Sequence, residues 1–397
     1  MAARAILAKC NPALIKWSRC SAHLTMEEVS RRTKIPIERL EGYESGSIIP
    51  SFPQLQLLAK TLKRALPLFF LPLPPDHEDV EIEFRSLSAF EQEVADQISA
   101  LRRRVESQKK KVLRSCFENL DTVINKIDKC AIVFDDNHRR IAKELRALVG
   151  ISLSEQFSWK KPDKALRHWK EAIEALGIFV IQNEPNSEKV PVDIFRGFVL
   201  PALPFPVIVL NCSDAQNGKI FTLIHELCHL AHIISIGKGA TAKRYRTREF
   251  LETICNRVAA EFLCPEDDLG NCWDDIATPS QGKTVTTAQL KEMTAHFSVS
   301  AEMLLIRLQS LGYITESCQK QHLARIKVLS EEANKERGPV IIPYHILAVN
   351  RNGKALSTLV IKALGRGSID FVDASNCLGI RSKHIAKIGT YLLAQNS

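Results

Sequence analysis

Between Phe221 and Ile234 the chain is almost free of charge, and its one ionised side chain, Glu226, sits among three histidines. Phe221, Leu223, Ile224, Leu227, Leu230, Ile233 and Ile234 recur at helical spacing, so the stretch reads as a core helix with one polar edge. His225 and His229 are four residues apart, which places both imidazoles on the same face. Any fold for this chain must bury the apolar side of that helix while leaving the histidine face beside a cleft.

Two imidazoles on one helical face are suited to hold one zinc ion, and a glutamate directly after the first histidine reaches a water at the metal from the side. Zinc lowers the pKa of such a water to about 7, and Glu226 takes its proton as general base. A hydrolytic site needs a third protein ligand and an open fourth position. Glu252 is the candidate third ligand, on the next helical stretch, Arg248 to Leu263. Asn256, four residues on, is the candidate hydrogen-bond partner for a ligand histidine. Glu261 is the alternative ligand or else a buried structural acid. Glu249 reads as a surface residue, His232 drifts off the His225–His229 line, and Cys228 points away from the ligand face as a small core residue.

The rest of the chain divides around this segment. A chain of 397 residues suits two or three domains. Residues 10–75 read as a small helical unit. Asn11-Pro12 opens a helix, Thr25 and Glu28 have the spacing of a capping box, and Lys34-Ile35-Pro36 ends the helix that carries Val29 and the stem of Arg32. Ser45-Gly46 stops the next, and Phe52, Leu55, Leu58, Ala59 and Leu62 recur helically. The proline-rich run Pro67 to Pro75 marks an exit. Residues 76–136 read as a helical linker with two basic runs, Arg102 to Arg104 and Lys109 to Lys111, on a solvated face. Residues 137–318 alternate helices with short apolar strands at Ile178 to Ile181 and Val207 to Leu210, an α+β pattern. Residues 319–397 form a C-terminal extension with a possible strand near Ile341-Ile342 and helices around Ser357 to Leu364 and His384 to Leu393; it reads as a packing extension or as a partner surface.

The net charge of +9 permits nucleic-acid binding without requiring it. Eleven cysteines without a Cys-x-x-Cys pair argue against a disulfide framework or a structural zinc knot and for a reducing cytoplasm. No apolar stretch is expected to reach the roughly 18 residues of a spanning helix, so no membrane partner is expected.

Through these residues the chain resembles the ImmA/IrrE family of metallopeptidases. Phe221 to Leu230 resembles the family's zinc helix, Glu252 to Pro265 its second signature, and Phe297 to Ser300 with Arg307 to Ile314 its following helix pair. Gly177-Ile178, Arg196 to Phe198 and Val207 to Asn211 resemble its lead-in strands. The likeness covers about residues 140 to 315. It implies His225, His229 and Glu252 as zinc ligands and Glu226 as base. Cys255 and Cys264 stand where the family often has alanine and methionine, and neither is expected to touch the chemistry. Residues 10 to 75, through Thr25 to Arg32, Ile37 to Gly46 and Gln54 to Lys60, resemble the Xre-type helix-turn-helix module that many members carry.

The resulting expectation is a multidomain protein: an all-α helix-turn-helix domain, then an α+β zincin-like metallopeptidase domain, then a small C-terminal extension. The resemblance implies a regulatory endopeptidase that cleaves a transcriptional repressor in a mobile-element or stress regulon, with a toxin or another operon product as a further partner. The alternative is a DNA-binding regulator or antitoxin in which the peptidase fold senses or docks without cutting. Arg39 is the candidate DNA reader, but Glu38 and Glu41 flank it on the recognition helix, so protein docking stays open for that helix.

Overall fold

The computed structural model describes residues 8, 10–20, 24–62, 69, 116, 120–183, 192, 195–201, 204–237, 248–276, 282–336 and 343–394. The chain forms two compact units, Met1–Glu83 and Phe84–Ser397. The basic runs at 102–104 and 109–111, most of the proline-rich exit and the strand expected at Ile341-Ile342 lie outside the described residues.

The first unit has helices α1 (Pro12–Cys20), α2 (Met26–Thr33), α3 (Ile37–Ser45) and α4 (Phe52–Thr61). The capping box forms as its spacing requires: Glu28 N–H donates to Thr25 Oγ1 at 3.2 Å, and Thr25 N–H donates to Glu28 Oε2 at 2.8 Å. Thr33, not the stem of Arg32, shares the buried face with Val29, because its hydroxyl donates to Val29 O at 2.7 Å while Arg32 stays exposed. α3 ends at Gly46, whose φ of +78° suits a residue without a Cβ. Leu14, Ile15, Val29, Leu40, Tyr43, Leu55 and Leu58 form the core.

The second unit begins with α5 (Leu120–Asp128), α6 (His138–Val149), α7 (Leu153–Ser158) and α8 (Pro162–Ala175). Three strands follow: β1 (Phe179–Gln182), β2 (Gly197–Leu200) and β3 (Val207–Leu210). Their order is β1-β3-β2, with β1 parallel and β2 antiparallel to β3. Central β3 is buried along its length, as its unbroken Val-Ile-Val-Leu run predicts. Next come α9 (Gln216–Gly237), α10 (Arg248–Leu263), α11 (Glu266–Ile276), α12 (Thr287–Phe297), α13 (Ala301–Ser310) and α14 (Glu316–Glu336). α9 packs on β2 and β3, and α10 packs between α6 and α9.

The C-terminal end of α10 is fixed by side chains from earlier in the chain. Arg146 donates to Phe262 O at 2.5 Å and lies over the rings of Trp169 and Phe262. Gln156, on the short helix α7, donates to Leu263 O at 2.8 Å and to Phe297 O at 2.7 Å. Carbonyls that a helix end leaves unpaired are satisfied in this way without solvent, and the end of α10 is tied to α6, α7 and the end of α12.

By length and composition α9 is apolar enough to cross a bilayer, contrary to the expectation that no stretch would be. However, 67% of that window is buried within the protein, as in a core helix. The last part comprises α15 (Tyr344–Asn352), α16 (Lys354–Gly365), α17 (Phe371–Leu378) and α18 (Ile385–Ala394). It belongs to the second unit and packs on α8 and β1: Lys170 and Gln182 both donate to Asn350 O at 3.1 Å, and Ala355 N–H donates to Glu174 Oε2 at 3.0 Å. All eleven cysteines are free thiols.

Candidate metal centre

α9 and α10 bring the three sequence-predicted ligands together. His225 Nε2 lies 3.2 Å from Glu252 Oε2, His229 Nε2 lies 3.1 Å from Glu252 Oε1, and the two Nε2 atoms are 3.0 Å apart. Two imidazoles and a carboxylate directing their donor atoms at one another form a His-His-Glu group able to hold a metal ion. The spacing fits that use. Ligands about 2.05 Å from a tetrahedral zinc ion stand roughly 3.3 Å from each other, close to the separations found. The side chains are mostly buried, so solvent competes little for the site.

Burial acts to raise the Glu252 pKa, but hydrogen bonds and charge from His225 and His229 outweigh it and hold the carboxyl well below its ordinary range. Glu252 is therefore an anion at neutral pH, the state a metal ligand needs. Glu226 is buried on the side of α9 that faces β2: a Cβ built on Gly197 would lie 3.2 Å from Glu226 Cγ. The Glu226 side chain thus leaves α9 beside β2, one residue from a metal-ligating position.

Other candidates fall outside the group. His232 is buried beside the Phe134 ring at 4.9 Å, and burial, reinforced by His229, lowers its pKa to about 4. Glu261 is a buried structural acid, ion-paired with Arg307 and accepting from Glu266 N–H at 3.4 Å. Cys228 is buried in the core.

The partner assigned to Asn256 needs correction. Asn256 is exposed and makes no hydrogen bond among the described residues. Residues three and four on from Glu252 flank its line on either side, and α10 is rotated so that Cys255 is buried while Asn256 faces outward. The side chain next to the far nitrogen of His229 is Cys255, with Sγ 3.8 Å from Nδ1. Cys255 was expected to stand clear of the chemistry. Its three-residue spacing from Glu252 permits the contact, as the four-residue spacing of Asn256 also does. Gly197 was likewise not singled out as a site residue. In the first unit Arg39 lies exposed on α3 between exposed Glu38 and Glu41.

A helix bearing His-Glu-x-x-His, a carboxylate from the next helix and a short mixed sheet along one side define a metallopeptidase-like domain. Comparison with protein families agrees: residues 173–309 match the IrrE N-terminal-like domain of the Peptidase_M78 group, and residues 15–69 match a helix-turn-helix domain. The chain thus carries a helix-turn-helix domain followed by an IrrE N-terminal-like α+β peptidase domain. No curated protein matches it.

Proposed function

We propose that this chain is a zinc-dependent endopeptidase with a regulatory role, acting in the cytoplasm on a transcriptional repressor of a mobile-element or stress regulon. The observation that carries the reading is the convergence of His225, His229 and Glu252 within 3.2 Å, with Glu226 adjacent. In this reading the three side chains bind zinc, which supplies a Lewis acid that polarises water and the scissile carbonyl. Glu226 accepts the proton of the attacking water on its carboxylate and passes it to the departing amine. Among the described residues β2 pairs only with β3, leaving an edge at which an extended peptide adds as a further strand beside Glu226. The helix-turn-helix domain supports a regulatory setting, and the free thiols support a reducing compartment.

The test is co-expression with the regulators encoded beside its gene, using wild type and Glu226→Gln. Cleavage by wild type, with loss of about 100-fold or more in a variant that still binds zinc, is the expected result. Equal cleavage by the variant overturns the mechanism. The helix-turn-helix match favours a second reading, a DNA-binding regulator or antitoxin whose peptidase fold docks a partner, such as a toxin, without cutting it. Sequence-specific DNA binding by a chain that cleaves none of those regulators is the result that selects it.

A further inference from the structure

His229 is gripped at both ring nitrogens by one helix face. α10 presents Glu252 and, one turn later, Cys255 to α9. Glu252 Oε1 lies 3.1 Å from Nε2 of His229, and Cys255 Sγ lies 3.8 Å from its Nδ1. His225 is held differently. Its Nε2 meets Glu252 Oε2 at 3.2 Å, while its buried Nδ1 has no hydrogen-bond partner among the described residues.

We infer that Cys255 is a positioning residue for the metal centre: its sulfur accepts a hydrogen bond from Nδ1–H of His229 and so fixes the tautomer that directs the Nε2 lone pair at the ion. A ring that binds metal through Nε2 carries its proton on Nδ1, and a partner for that proton orients the ring and raises its basicity. Carboxylates and carbonyls are the usual partners; here a thiol occupies the position. Cys255 is fully buried against α9, and a thiol sulfur is a weak hydrogen-bond acceptor. His229 is then the oriented ligand and His225 the less constrained one. The inference rests on the zinc reading above.

The test uses the full chain as wild type, Cys255→Ala and Cys255→Ser. Each is stripped of metal and titrated with Zn2+ against a competing chelator, and the zinc-loaded forms, labelled with 15N-histidine, are read for ring-nitrogen resonances. The expected result is affinity about tenfold weaker in Cys255→Ala, recovery toward wild type in Cys255→Ser, and a change confined to the His229 Nδ1 signal with His225 unmoved. If Cys255→Ala binds zinc as wild type does and leaves the His229 Nδ1 signal in place, the positioning role is overturned and the zinc reading stands. A wild type that binds no zinc overturns both.

Discussion

Gly197 on β2 and Glu226 on α9 are in close approach, and Thr222 beside them leaves no room for a side chain at Gly197. A methyl group on Gly197 would come 3.2 Å from Glu226 Cγ, 3.1 Å from Val209 O and 2.5 Å from Thr222 Cγ2. None of these neighbours is the far end of a flexible side chain, so the strand or the helix has to move. Gly197→Ala is expected to destabilise the protein by about 1–3 kcal/mol and to displace Glu226 from its place beside the ligand histidines. Peptidase activity should fall more than tenfold while zinc affinity stays within a fewfold of wild type, because the three ligand side chains lie on α9 and α10. Urea unfolding, zinc titration and a cleavage assay read these separately. Unchanged stability and activity would show that the contact is slack.

Glu252 supplies both of its oxygens to the histidine pair, one to each ring. Its removal leaves two imidazoles facing each other and no carboxylate in the ligand set. Glu252→Ala should lose zinc affinity by about 100-fold or more, since a two-ligand remnant has neither the charge nor the ligand count of a zinc site. The readout is metal content after dialysis, together with the thermal shift that added zinc produces in wild type by binding the folded state. An unchanged metal content in Glu252→Ala would remove it from the ligand set.

The parts of this arrangement that local chemistry dictates were legible in the sequence. The period of α9, its two histidines, the reach of α10 and the Thr25–Glu28 box each depend on residues within a few positions of one another. What was not legible depends on tertiary partners. α7 is six residues long, too short to show a period, and it is held by Ser152 at its start and by the bonds of Gln156 to Leu263 and Phe297. Whether Asn256 or Cys255 turns toward His229 is decided by how α10 rotates against α9, and spacing alone allowed either. Gly197 reads in the sequence as part of a lead-in strand, and only the approach of α9 reveals why a side chain is excluded there.

Glu174 joins α8 to the C-terminal helices by accepting Ala355 N–H at the start of α16. Burial raises its pKa to about 7, with Lys170 and the backbone contacts offsetting part of that cost and Glu171 adding to it. The folded state therefore holds a proton that the unfolded chain, titrating near 4.3, releases. Stability falls as pH rises from about 4 to 7, and the penalty is complete above that range. Glu174→Gln removes the charge while keeping the shape. It should match wild type near pH 5 and exceed it by about 1–3 kcal/mol near pH 8. Urea unfolding at the two pH values decides; a gain of equal size at both would assign the effect to packing.

The outward face of α3 exposes Glu38, Arg39 and Glu41, while Glu44 is occupied in an ion pair with Arg19 at 2.6 Å. If this face enters a groove, both free acids approach phosphates and oppose binding, and Arg39 alone favours it. The double variant Glu38→Gln/Glu41→Gln should then bind duplex DNA about three- to tenfold more tightly. Arg39→Ala should bind more weakly, with a salt slope shallower by about 1 if the contact is to a phosphate. Fluorescence anisotropy at two salt concentrations reads both changes. If neither variant moves the affinity, α3 does not meet DNA, and its two acids are available to a basic protein surface instead.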